Sequence, residues 1–275
     1  MTRDRRRLAL FFGVTFGVSW AYWFAVLAST RHWIGYRVPL TPFGAFGPAV
    51  AAVVSAATIG GRAELGQLLR RFRFRGVTWR GLALAVGIWP LLVAAAIAGA
   101  SAPGVPAAPA PQVSLALAIL VFIEVLIFTS VGEELGWRGY ALPILLARDR
   151  PLFASTIVGA VWAIWHLPLF WIPGTAQAAF PFGYFALSIL ATSFVYTAVF
   201  RLTQPSIIPV LLLHASQDAS LNIAQIGWPQ ATAGGTFWLS YFGMVIAAGV
   251  VAALAGPSSS NDVLLAANTV PPPHC

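Results

Sequence analysis

The sequence predicts an all-α fold, a polytopic membrane bundle of about eight transmembrane helices with both termini cytoplasmic. Three observations predict it. Of the 275 residues, 59% are hydrophobic and 9% charged, against about 25% charged in soluble domains. So few charges cannot clothe a water-exposed surface. The apolar residues fall in uncharged runs near the length of about 20 residues needed to cross a hydrocarbon core of about 30 Å. The basic residues between these runs concentrate in every second connection, as the positive-inside rule expects of cytoplasmic loops.

The first span, Leu8–Ala28, follows Arg3, Arg5, Arg6 and Arg7. It is too long for the apolar region of a signal peptide, and Ser29-Thr30-Arg31 is a poor cleavage site, so it reads as a retained helix. The second, Leu40–Gly60, lies between Arg37 and Arg62, and Leu65–Arg75 reads as a short basic amphipathic helix on the cytoplasmic surface. The stretch Gly81–Ile123 carries no charge and is too long for one span. Ala102–Pro111, with four prolines and a glycine, breaks it into a third span, Gly81–Ala100, and a fourth, Val113–Gly132. The fourth runs on into Glu133, Glu134 and Arg138, which places these at its cytoplasmic end. Leu152–Trp171, Gly183–Phe200, Ser206–Ile223 and Thr236–Ala255 complete the eight. Residues 1–255 form a single transmembrane domain with a motif-bearing core at 113–222. The tail 256–275, with its serines and Pro271-Pro272-Pro273, is expected to be disordered.

All sixteen basic residues are arginine and the net charge is +8. Because the arginines mark loops, they signal topology and contact with anionic lipid rather than nucleic acid. The only cysteine is Cys275, which excludes a disulfide framework and a thiolate cluster.

Ionisable side chains at membrane depth are costly, and they are usually paired or functional. Glu134 and Arg138 stand four apart on one helix face in the favourable acid-first order. Arg138 can hold Glu134 ionised and leave Glu133, about 100° round the helix, to point elsewhere. The same cluster would serve equally as a structural ion pair. His166 follows Trp162 and Trp165 in an apolar run and would serve either as a hydrogen-bonded core residue or as a base. His214 and Asp218 share a helix face, where the carboxylate could orient the imidazole or simply join helices. Glu124, two and a half turns before Glu133, falls on the opposite side of a regular helix and matches no motif. If Glu133, His166 and His214 converge from three helices, they supply a general base and donors for an oxyanion.

Glu133-Glu134-x-x-x-Arg138, then Trp162-x-x-x-His166, then His214-x-x-x-Asp218, in that order on three apolar helices, resembles the CPBP family. These are the CAAX prenyl endopeptidases and bacteriocin-processing (Abi) proteins. The resemblance implies an intramembrane endopeptidase acting on a membrane-associated or lipid-modified peptide or protein. Glu133 with His166 would activate water, His214 with Asp218 would stabilise the oxyanion, and Glu134 with Arg138 would support the first motif. Trp162 stands where the pattern usually has phenylalanine, a change expected to alter pocket shape rather than chemistry. Asp218 stands where the eukaryotic enzymes have asparagine. An ionised aspartate cannot donate to an oxyanion, so it would orient His214, be protonated or bind metal. Either no cofactor or a divalent metal such as zinc on Glu133, His166 and His214 is compatible with this pattern; the absence of His-Glu-x-x-His favours the metal-free reading. A catalytically silent immunity or partner-binding protein, or a proton-coupled transporter, are the rival readings. Each places the chain in the cytoplasmic membrane.

Overall fold

The computed structural model describes residues 2–75, 77–100 and 113–255; the proline-rich break at Ala102–Pro111 and the tail from Gly256 lie outside the described residues. Among the described residues there is no strand, and eight long helical segments run back and forth. They are α1 (Arg3–Thr30), α2 (Pro42–Arg70), α3 (Trp79–Ala100), α4 (Leu115–Leu146), α5 (Pro151–Trp171), α6 (Phe182–Thr203), α7 (Ile208–Gly227) and α8 (Gly235–Ala255). Seven are long and apolar enough to cross a membrane. The eighth, α7, falls short in hydropathy because it carries His214, Ser216, Gln217, Asp218 and Asn222. Its 20 residues still reach about 30 Å.

Large apolar side chains cover the outside. Leu115 on α4 is 77% exposed and Leu254 on α8 is 80% exposed. Such a surface is stable against lipid and not against water. The chain is a multi-pass integral membrane protein.

The interior inverts this pattern. α7 lies at the centre, packed on α3 and α4, with Ser216 donating to the Val86 carbonyl at 2.8 Å. α8 closes over α6 and α3, and α5 packs on α6. α1 lies on α2, and α2 lies on α4. The last contact depends on Gly132 and Gly136. A β-carbon at Gly132 would sit 2.7 Å from the Ala45 carbonyl oxygen, and one at Gly136 would sit 2.6 Å from the Pro48 carbonyl carbon. Two glycines four apart give α4 a flat strip through which the backbones meet. Between them, Glu133 and Glu134 are turned away towards the centre of the bundle.

One expected boundary holds and one moves. The spanning part of α2 ends at Gly60, because Gly61, at φ 69° and ψ −164°, breaks the helical course, and Gly61–Arg70 follows as a separate amphipathic helix that stops short of the expected Arg75. α4 does not end near Gly132 but runs to Leu146, so Glu133 and Glu134 lie inside the helix rather than at its end. Arg138 is fully buried there, and the first arginine free of the core is Arg148. The charge that was expected to mark a loop is absorbed by the bundle.

Candidate active site

The glutamates and His166 owe their positions to local irregularities of their helices, whereas His214 and Asp218 stand four apart on the regular α7. In α4 two π-turns, Leu126–Ser130 and Trp137–Ala141, flank the regular turn that holds the two glutamates. A π-turn admits one extra residue, so the helix face lags by about 100° past each one. Nine regular steps would set Glu124 about 180° from Glu133. With the first π-turn the offset falls to about 80°, and both side chains line one cavity. The expectation that Glu124 lies opposite fails for this reason.

In α5 the regular helix ends at Trp165, and Leu167–Trp171 winds more tightly, as Pro168 with no N–H requires. His166 sits at the junction. Its amide turns to Ala163, which frees the Trp162 carbonyl to accept from His166 Nδ1 at 2.8 Å. A carbonyl only accepts, so Nδ1 carries the hydrogen and Nε2 keeps its lone pair. The Trp165 carbonyl is capped by Trp20 Nε1 at 2.9 Å.

Glu134 is fully buried and accepts twice from Arg138 Nη1, at 2.9 and 3.1 Å. It also meets His214 Nδ1 at 2.8 Å, across eighty positions of sequence. The remaining Arg138 nitrogens, Nε and Nη2, find no hydrogen-bond acceptor among the described residues. Instead the guanidinium lies between two aromatic faces, 4.5 Å from Trp162 and 4.6 Å from Tyr196. Such contacts contribute about 2 kcal/mol when desolvated.

Asp218 stands 3.5 Å from His214 Nε2 and is partly exposed to the cavity. The short bond that orients the imidazole therefore comes from Glu134, not from Asp218. Tyr196 donates to Gln217 at 2.6 Å, and Gln217 reaches Tyr241 at 3.2 Å, which ties the wall together.

Glu133 is buried, and its Oε2 accepts from Trp162 Nε1 at 2.7 Å. This overturns the expectation that tryptophan alters shape alone. Phenylalanine has no N–H, so the indole supplies a bond that a phenyl ring cannot. Trp162 is also the geometric hub, its ring 5.9 Å from His166, 5.8 Å from His214 and 5.7 Å from Tyr196. Glu133, His166, His214 and Asp218, from α4, α5 and α7, all line a cavity of about 510 Å³. Gln217 and Tyr241 are its unforeseen members, and Tyr196 supports them from behind through Gln217. Only the polar spacing Gln217–Asp218 beside His214 hinted at any of them.

A metal would need three of these groups to share one ion. Among the described residues no three His, Cys, Asp or Glu side chains could do so as they stand. One nitrogen of each histidine and one oxygen of Glu133 are engaged, which leaves both Nε2 atoms in the orientation that metal-ligating imidazoles also take; no step below passes through an ion.

Residues 114–220 match the sequence model described as type II CAAX prenyl endopeptidase, Rce1-like. The CAAX prenyl protease 2 of Methanococcus maripaludis is 34% identical over 95 residues, covering 32% of this chain and 35% of that protein. The chain thus spans about a third of the length of the relative it matches. Glu133, His166, His214 and Asp218 all fall within the stretch that matches the Rce1-like model, the same stretch whose three motifs resemble the CPBP family.

Proposed function

We propose that this chain is an intramembrane endopeptidase that hydrolyses a peptide bond of a membrane-associated or lipid-modified substrate with water activated by Glu133 and His166. One observation carries the reading: a buried carboxylate and two imidazoles from three helices meet around Trp162 at one cavity. The Rce1-like match over the same residues supports it.

In this mechanism Glu133 keeps one oxygen on the Trp162 N–H, and the other takes a proton from water. His166 Nε2 accepts the second water hydrogen bond and orients the lone pair. The water oxygen adds to the scissile carbonyl carbon, and the carbonyl electrons move to oxygen. His214, fixed through Nδ1 by Glu134 and flanked by Asp218, offers Nε2–H to that oxyanion. The proton on Glu133 then passes to the amide nitrogen. The oxyanion electrons re-form the carbonyl as the C–N bond breaks, leaving a carboxylic acid and an amine. Low local dielectric strengthens each of these contacts relative to water.

The test compares membranes and purified protein carrying wild-type chain or Glu133→Gln. The variant should unfold at the wild-type temperature yet lose at least about a hundredfold in cleavage, the usual scale of a general base. His166→Ala and His214→Ala should behave likewise. Cleavage at the wild-type rate by Glu133→Gln would end the proposal, and a wild-type chain that binds but never cuts would favour the silent partner-binding reading. Strong chelators should leave the rate unchanged. Loss of activity restored only by zinc would overturn the metal-free form of the mechanism.

A further inference from the structure

The two ends of the bundle differ in charge. Following the eight helices, Arg3, Arg5, Arg6, Arg7, Arg62, Arg70, Arg71, Arg73, Arg75, Arg80, Arg148, Arg150 and Arg201 all fall at one end. That end is tied together by contacts such as Arg7 with Glu64 and the Ile207 amide with the Arg71 carbonyl. Arg31 and Arg37 are the only arginines at the other end, and Arg138 is buried between. The bias of thirteen to two sits in short connections close to helix ends, where it has most force in setting orientation. It assigns the arginine-rich end to the cytoplasm.

The cavity has a direction too. Glu133, Trp162 and His214 are buried lining residues near the middle of their helices. Every other part of the lining belongs to the arginine-poor half. Thr41 precedes α2, Gln177 and Phe180 lie in the α5–α6 connection, Gln225 closes α7, and Trp238 opens α8. Towards the other end the floor is sealed by the buried Arg138–Glu134 pair and by Trp137. A path from water to Glu133 therefore enters between the arginine-poor connections.

We propose that the site opens to the non-cytoplasmic face of the membrane, so that its substrate is a segment presented on that face by an exported or membrane-anchored chain. The inference rests on the peptidase reading for the word substrate, and not for the direction of the opening. A farnesyl-type tail held in the cytoplasmic leaflet would meet the sealed end.

Cysteine labelling tests the direction without any need for activity. Cys275 is the sole cysteine, so Cys275→Ser gives a blank background. Gln225→Cys and Gln177→Cys place thiols at the mouth, and Arg75→Cys marks the arginine end. A membrane-impermeant maleimide should label both mouth cysteines at least tenfold faster in intact cells than in inverted vesicles, with Arg75→Cys showing the reverse. Detergent should make all three reactive. Mouth cysteines labelled only in inverted vesicles, labelled from both sides, or reached only after detergent would each overturn the proposal. If labelling fails while Glu133→Gln abolishes cleavage, the direction is wrong and the peptidase stands. If labelling succeeds while Glu133→Gln still cleaves, the reverse holds.

Discussion

Two glutamates in this protein each hold two basic neighbours, and the contrast between them separates surface chemistry from core chemistry. Glu64 at the arginine-rich end contacts Arg7 and lies 3.9 Å from Arg3, whose side chain is 61% exposed. Glu134 in α4 contacts Arg138 and His214 with no exposure at all. The exposed Arg3 contributes little to the first arrangement, because solvent and salt screen its charge and its long side chain loses entropy when held, whereas Arg7 and Glu64 are themselves mostly buried. In the core the second has no alternative partner, so removing one member leaves a bare charge at membrane depth. Glu133 stands apart from both: as buried as its neighbour, but engaged by a neutral indole.

The sharpest way to break the comparison is Arg138→Met, which fills similar volume and removes the guanidinium. It should cost about 3–5 kcal/mol by denaturant titration in mixed micelles, the scale of an orphaned buried partner. A loss under about 1 kcal/mol would mean that Glu134 is not charged in the fold. Next comes Trp162→Phe, which keeps the ring packed between Arg138 and the histidines and deletes only the N–H. A hydrogen bond to a charged acceptor contributes about 1.5–3 kcal/mol. The variant should lose that much stability and about tenfold to a hundredfold in kcat, with KM little changed. An equal rise in KM instead would make Trp162 a packing residue. The smallest effect is expected from Arg3→Gln, within about 1 kcal/mol and erased by salt. A larger, salt-resistant loss would show that the two glutamates are more alike than their burial implies.

Much of this architecture is legible in residue order because lipid leaves few options. An uncharged run of 20 residues must be a helix, and arginines must leave the hydrocarbon. That is why the spans beginning near Leu152, Gly183 and Thr236 need almost no adjustment. Arg138 defeats the same logic: its charge is neutralised by Glu134 and two ring faces, so the helix runs straight past it. The site residues stand out because a buried Glu or His is rare, yet their pairing is invisible. Nothing local to Glu134 signals a bond to a histidine eighty positions on. Tyr196 is one aromatic among many until the fold sets it against Arg138. The π-turns escape notice for a further reason, since Leu-Ile-Phe-Thr-Ser is as content in a regular helix as in a wide one.

Those wide turns change how length variation in α4 should be understood. Within Leu126–Ser130 a single missing residue would let the backbone relax to regular hydrogen bonding while still spanning the bilayer. What would change is azimuth: everything before the deletion would swing by about 100° relative to the glutamate pair, carrying Glu124 out of the cavity and towards lipid. A one-residue gap here, in this chain or in any relative aligned to it, is therefore a rotation of half a helix and not a trimmed loop.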